Sequence, residues 1–116
     1  MEEKKKSLKE RKQDLLRRRS ELIALENEEV IRVRSRGYLR ELQINYSRED
    51  HRFLPGEFMW DKGSKRLSIC LGVGLSPNVT SFQAVWFLTE GDSDISFIDT
   101  HNVPAQLQEK FMAMQC

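Results

Sequence analysis

A chain of 116 residues, 39% hydrophobic and 32% charged, has the size of one domain. Its two cysteines, Cys70 inside an apolar run and Cys116 at the last position, sit in unrelated contexts and do not read as a disulfide framework, so a reduced, intracellular setting is expected. The N-terminus is charged with no apolar core behind it, and no apolar run approaches the roughly 18 residues of a membrane span, so neither a signal peptide nor a membrane partner is expected.

The net charge of +1 conceals an asymmetry: residues 1–36 hold 12 Lys and Arg against 8 Asp and Glu, and residues 37–116 hold 7 against 10. Residues 2–53 contain no proline and a single glycine, Gly37, and are crowded with Leu, Lys, Arg and Glu, the composition of a long helix. Apolar residues recur there every seven positions, in rows such as Leu8/Leu15/Leu22, Leu16/Ile23/Val30/Ile44 and Leu25/Leu39/Tyr46/Phe53. A seven-residue repeat marks a face made for another helix. The expectation is therefore a coiled-coil helix over 1–53, reaching on the order of 75 Å, followed by a small globular domain over 54–116. Leu8, Leu15, Leu22, Leu25, Leu39, Leu42 and Tyr46 are its predicted pairing residues.

Two basic triplets, Lys4-Lys5-Lys6 and Arg17-Arg18-Arg19, are interleaved with Glu10, Asp14 and Glu21 and lack aromatic residues to stack on bases. They read as the solvated face of a coiled coil, with nucleic-acid binding as the alternative. From Leu22 to Val33 the helix is apolar on two sides, as if it met both a partner and its own domain. Gly37 costs about 1 kcal/mol inside a helix, so the competing reading is a break there, with Tyr38–Tyr46 as a strand.

Leu54-Pro55-Gly56 ends the helix. Beyond it the pattern predicts a strand over Glu57–Trp60, a tight turn at Asp61-Lys62-Gly63-Ser64 and a second strand over Arg66–Val73. In that second strand Leu67, Ile69, Leu71 and Val73 form one apolar face of a half-buried strand. A loop over Gly74–Ser81, a third strand over Phe82–Leu88, an acidic turn at Glu90–Asp94 and a fourth strand over Ile95–Ile98 complete an antiparallel meander. Pro104 then leads into a C-terminal helix from Ala105 to about Met114, with Leu107, Phe111 and Met114 at helical spacing. The fold class expected is α+β.

No catalytic or metal-binding constellation stands out. His51 and His101 lack further ligands at metal-binding spacing. Gly72-Val73-Gly74 is followed by Leu75-Ser76-Pro77 where a phosphate-binding helix would begin, and reads as a strand end needing small residues. Asp92, Asp94 and Asp99 lack the spacing of a calcium loop. Lys62, Lys65 and Arg66 cluster at the first hairpin, either as a solvated tip or as a dock for an acidic or phosphorylated peptide. No enzymatic activity and no cofactor are expected.

The order of coiled coil, meander and terminal helix resembles the small RWD-type domains that cap coiled coils in kinetochore proteins. The likeness is to the smaller RWD subunit of the outer-kinetochore microtubule-binding complex. It covers residues 40–111 and is carried by Leu54-Pro55-Gly56-Glu57-Phe58 after the helix, Lys65-Arg66-Leu67-Ser68-Ile69 in the second strand and Ser76-Pro77-Asn78 in the loop. Phe82–Leu88 and Ile95-Ser96-Phe97-Ile98-Asp99-Thr100, with Pro104 shortly after, continue it. The C-terminal domain of the mitotic checkpoint scaffold is a related architecture. The resemblance implies a non-enzymatic linker in chromosome segregation, nuclear or chromosomal, that pairs through its coiled coil, as a hetro-dimer rather than a homo-dimer, and offers its globular end to a centromere receptor peptide.

Overall fold

The computed structural model describes residues 6–22, 24–25, 30–35, 37–43, 55–78, 83–99 and 110–113; the side chains of 24, 25, 35 and 113 are outside the description. It replaces the long coiled-coil helix with one short helix and a predominantly antiparallel sheet. Among the described residues, helix α1 spans Leu8–Leu22, and eight strands follow: β1 (Ala24–Leu25), β2 (Val30–Ser35), β3 (Tyr38–Gln43), β4 (Phe58–Asp61), β5 (Arg66–Leu75), β6 (Gln83–Thr89), β7 (Ser96–Asp99) and β8 (Phe111–Ala113). The α+β expectation of a long helix with three or four strands is thus corrected to a mostly β architecture.

The start of α1 has a local cause. Ser7 and Glu10 form a capping box: the Glu10 amide donates to Ser7 Oγ at 3.2 Å, and the Ser7 amide donates to Glu10 Oε1 at 3.4 Å. Further along, Val30-Ile31-Arg32-Val33-Arg34 is rich in β-branched residues and alternates with period two, the spacing of a strand. A hairpin pairs Ser35 with Tyr38, and Gly37, just before Tyr38, has the positive φ of 82° that tight hairpin turns favour. Of the alternative with a break at Gly37, β3 matches the strand from Tyr38 as far as Gln43, but α1 already ends at Leu22, so Gly37 breaks no helix and lies between two strands instead.

Strand β5 is the spine. Along one edge it pairs with β6 from Ser68 to Leu75; along the other it pairs first with β4, over Arg66–Ile69, and then with β3, through Val73 and Gly74. β7 extends the sheet beyond β6, β8 beyond β4, and β2 and β1 beyond β3, all antiparallel. Strands from both sides of residue 53 thus join in one sheet.

The expected single apolar face of β5 is also corrected, because a bulge at Leu71 inserts one residue between the Cys70–Phe87 and Gly72–Trp86 pairs. Side-chain parity flips there. Leu67, Ile69 and Leu71 join Ile31, Val33, Leu42, Trp86 and Leu88 beneath α1, whereas Val73 joins Cys70, Met59, Val85, Phe87 and Phe111 on the opposite face. β5 is consequently buried on both faces instead of one.

Gly72 and Gly74 let β3 approach this spine. A Cβ on Gly74 would lie 2.3 Å from Leu42 Cδ2 and 2.9 Å from the Glu41 carbonyl oxygen, and one on Gly72 would lie 2.8 Å from the Gln43 carbonyl oxygen. The need for small residues read from this stretch has that close approach as its cause.

The C-terminal helix is corrected in part. Phe111–Ala113 is strand β8, pairing with Met59–Asp61, while Leu107 and Met114 lie outside the described residues, as do Tyr46, His51 and His101.

Candidate functional site

The predicted pairing row does not face a single partner. Leu15 is buried in the protein's own core with Ile31 and Val33, Leu22 packs half-buried against that cluster, and Leu42 is buried over Gly74. Leu8 and Leu39 are exposed, Leu25 lies in β1, and Tyr46 is outside the described residues. The heptad spacing of Leu8 and Leu15 is real, but the helix uses Leu15 to cover its own sheet.

The basic cluster at the first hairpin separates as well. Asp61 Oδ1 accepts the amides of Gly63 and Ser64 at 3.0 and 3.1 Å and shapes the turn, with Lys65 at a positive φ of 55°. Lys62 and Lys65 are exposed on it. Arg66 instead turns back to Asp92 at 2.6 Å and to the Glu90 carbonyl oxygen at 3.3 Å. Burial pushes the Asp61 carboxyl up, but hydrogen bonds from Ser64 and from Lys110, 3.1 Å away, outweigh it and hold Asp61 below the usual carboxylate range.

The acidic turn after β6 fastens α1 to the sheet. Glu90 donates its amide to the Leu67 carbonyl oxygen at 2.9 Å and, with Oε1, accepts the Leu67 amide at 2.7 Å, so its carboxylate closes the end of the β5–β6 ladder. Both its oxygens also receive the Arg11 guanidinium, with Nε at 2.9 Å from Oε2. Arg18 donates to the carbonyl oxygens of Thr89 and Asp92. Arg11 also lies over Trp60, 5.5 Å from its ring centroid. The hydrogen bond from Arg11 holds the Glu90 carboxyl below its ordinary value, helped by the Leu67 amide.

Because the folded pKa of Glu90 lies below its unfolded value of about 4.3, its stabilising contribution is complete above that value and is lost as pH falls through the folded one. Glu90→Ala should cost about 1–3 kcal/mol at neutral pH, where the Leu67 amide loses its acceptor. The gap from wild type in urea unfolding should narrow as the solution is acidified; a gap independent of pH would show that the carboxylate is not the stabilising form.

The remaining candidate is the β2–β3 hairpin. Only Leu42 and Gln43 of β3 pair with β5, so Tyr38–Arg40 project past the spine's end as an arm. One face of the arm carries Ile31, Val33 and Leu42 into the core, then Arg40 with its guanidinium 5.4 Å from the exposed Tyr38 ring. The other face carries Val30, Arg32, Arg34, Leu39, Glu41 and Gln43, with an Arg32–Glu41 ion pair at 3.0 Å. At its root is a hollow of about 230 Å³ walled by Val30, Glu41, Gln43, Val73, Leu75 and Gln83. Tyr38, Leu39 and Leu75 are 65%, 54% and 64% exposed. Sequence reading missed this arm because a helical repeat was read through it; the alternation of Ile31 and Val33 with Arg32 and Arg34 was the available signal.

Among the described residues no group of three His, Cys, Asp or Glu stands close enough to hold a metal ion, and no helix is long and apolar enough to cross a membrane. No family model matches this chain, and no match was found among curated proteins or solved structures.

Proposed function

We propose that this protein is a non-enzymatic interaction module that takes a protein partner on the β2–β3 arm and the hollow at its root. The observation that carries the reading is the pair of large exposed side chains, Leu39 and Leu75, on the face of the arm that holds the hollow, with the exposed Tyr38 ring on the arm's other face. Large apolar groups held in water on rigid strands are the usual anchors of protein interfaces. The kinetochore setting implied by the resemblance depended on a coiled coil and a four-strand meander, so the proposal is made without it. Nucleic-acid binding by the basic helix draws less support, because Arg11 and Arg18 are directed to the protein's own acidic turn.

The test is affinity purification from the cells that make the protein, comparing wild type with the Tyr38→Glu/Leu39→Glu double variant. Both side chains are exposed, so the variant should fold with little loss of stability. A protein recovered in stoichiometric amount with wild type should disappear with the variant. An unchanged set of recovered proteins overturns the reading, and sedimentation of the purified chain separates a second copy from a different partner.

A further inference from the structure

We infer that the occupant of the arm and hollow is an acidic segment of a partner protein with one leucine- or phenylalanine-sized side chain seated in the hollow. This rests on the interaction reading above and names the chemistry of the partner. The volume of about 230 Å³ lies below the roughly 300–1,000 Å³ of sites that enclose a drug-sized ligand, and it suits a single apolar side chain. Val30, Val73 and Leu75 supply apolar wall, while Gln43 and Gln83 place amide groups at the rim, where an extended backbone needs donors and acceptors.

Charge sets the rest of the segment. Residues 30–43 contain four Arg against one Glu, and Arg32 and Arg34 lie on the same face as the hollow. Guanidinium groups on a fixed strand are suited to carboxylates that flank a seated apolar residue. The Arg32–Glu41 pair, with side chains 36% and 63% exposed, is open to exchange with an incoming carboxylate. Nucleic acid fits this surface less well. Tyr38, the exposed aromatic of the arm, lies on the opposite face of β3 and cannot stack a base at the hollow.

The experiment is fluorescence anisotropy of the full chain with a labelled peptide of Asp and Glu around a central leucine. Its comparators are the same peptide with serine in place of leucine, a peptide with lysine in place of the acids, and a single-stranded oligonucleotide. The leucine peptide should bind about tenfold or more tightly than the serine peptide and lose affinity with added salt. Leu75→Glu should abolish that binding and Arg34→Glu weaken it about tenfold, with unchanged circular dichroism because both side chains are exposed. Equal binding of the leucine and serine peptides, tighter binding of the oligonucleotide, or indifference to Leu75→Glu overturns the inference. If the peptide fails while Tyr38→Glu/Leu39→Glu still removes the cellular partner, only the chemistry named here falls; if both fail, the interaction reading falls with it.

Discussion

Gly74→Val is expected to be among the most damaging single substitutions in this protein. Its first added carbon would fall 2.3 Å from Leu42 Cδ2 and 2.9 Å from the Glu41 carbonyl oxygen, and 3.2 Å from the Trp86 indole nitrogen. Leu42 could rotate away only by leaving a core position, and the Glu41 contact is with backbone, so β3 itself must move. Forced overpacking of this kind costs about 1–3 kcal/mol or more, and here it falls on one of the two residue pairs that tie the arm to the spine. Chemical denaturation should show the loss, and amide exchange in β2 and β3 should accelerate more than in β5 or β6. Gly63→Ala is the control, since its Cβ would meet nothing closer than Asp61 Oδ1 at 3.5 Å; it should lie within about 0.5 kcal/mol of wild type. Equal stability of Gly74→Val and wild type would mean that β3 does not approach β5 as described.

Leu15→Ala is expected to destabilise the folded chain by about 2–5 kcal/mol, the range for truncating a buried leucine, without changing its oligomeric state. Leu15 is 1% exposed, whereas Leu8 and Leu16 are 42% and 43% exposed. Leu8→Ala and Leu16→Ala should therefore have much smaller effects. A coiled coil would rank these positions differently, because Leu8 and Leu15 belong to one heptad row and would both lie in its seam. Unfolding at several protein concentrations separates the two cases: midpoints that rise with concentration, together with equal losses at Leu8 and Leu15, would restore the intermolecular helix.

Strands β4 to β7 were legible because their signals are local, whereas β8 falls where a helix is expected. Pro55-Gly56, Asp61–Ser64 and Glu90–Asp94 mark turns, and the apolar runs between them became β4, β5, β6 and β7 within two residues of their predicted bounds. The first half was misread for an equally physical reason. Leu, Arg, Glu and Lys tolerate both states, and a seven-residue repeat in a stretch poor in Gly and Pro also arises where leucines face a core from a short helix and two strands. The capping box at Ser7 and Glu10 was readable and marks the start of α1. The β-branched cluster from Val30 to Val33 and the glycine at position 37 together outweigh the heptad rows.

The candidate site was much less legible. Leu39 was picked out as a coiled-coil contact and proves to be exposed on the arm, but its neighbours on that face come from β2, β5 and β6, which no local pattern connects. Arg66 was grouped with Lys62 and Lys65 by adjacency, yet the partners that hold it, Asp92 and the Glu90 carbonyl, lie more than twenty residues away.

By itself, then, the sequence determined where the chain turns between residues 54 and 95, which residues are apolar, and that charge is positive toward the N-terminus and negative beyond it. Tertiary structure alone decided that Leu15 faces inward, that the bulge at Leu71 sends Val73 to the opposite face, and that β3 closes on Gly72 and Gly74. Turns and caps are set by neighbours a few residues apart, whereas burial and strand register depend on which distant segment arrives to exclude water. In this chain the arriving segment is a hairpin from the half that composition marks as a rod.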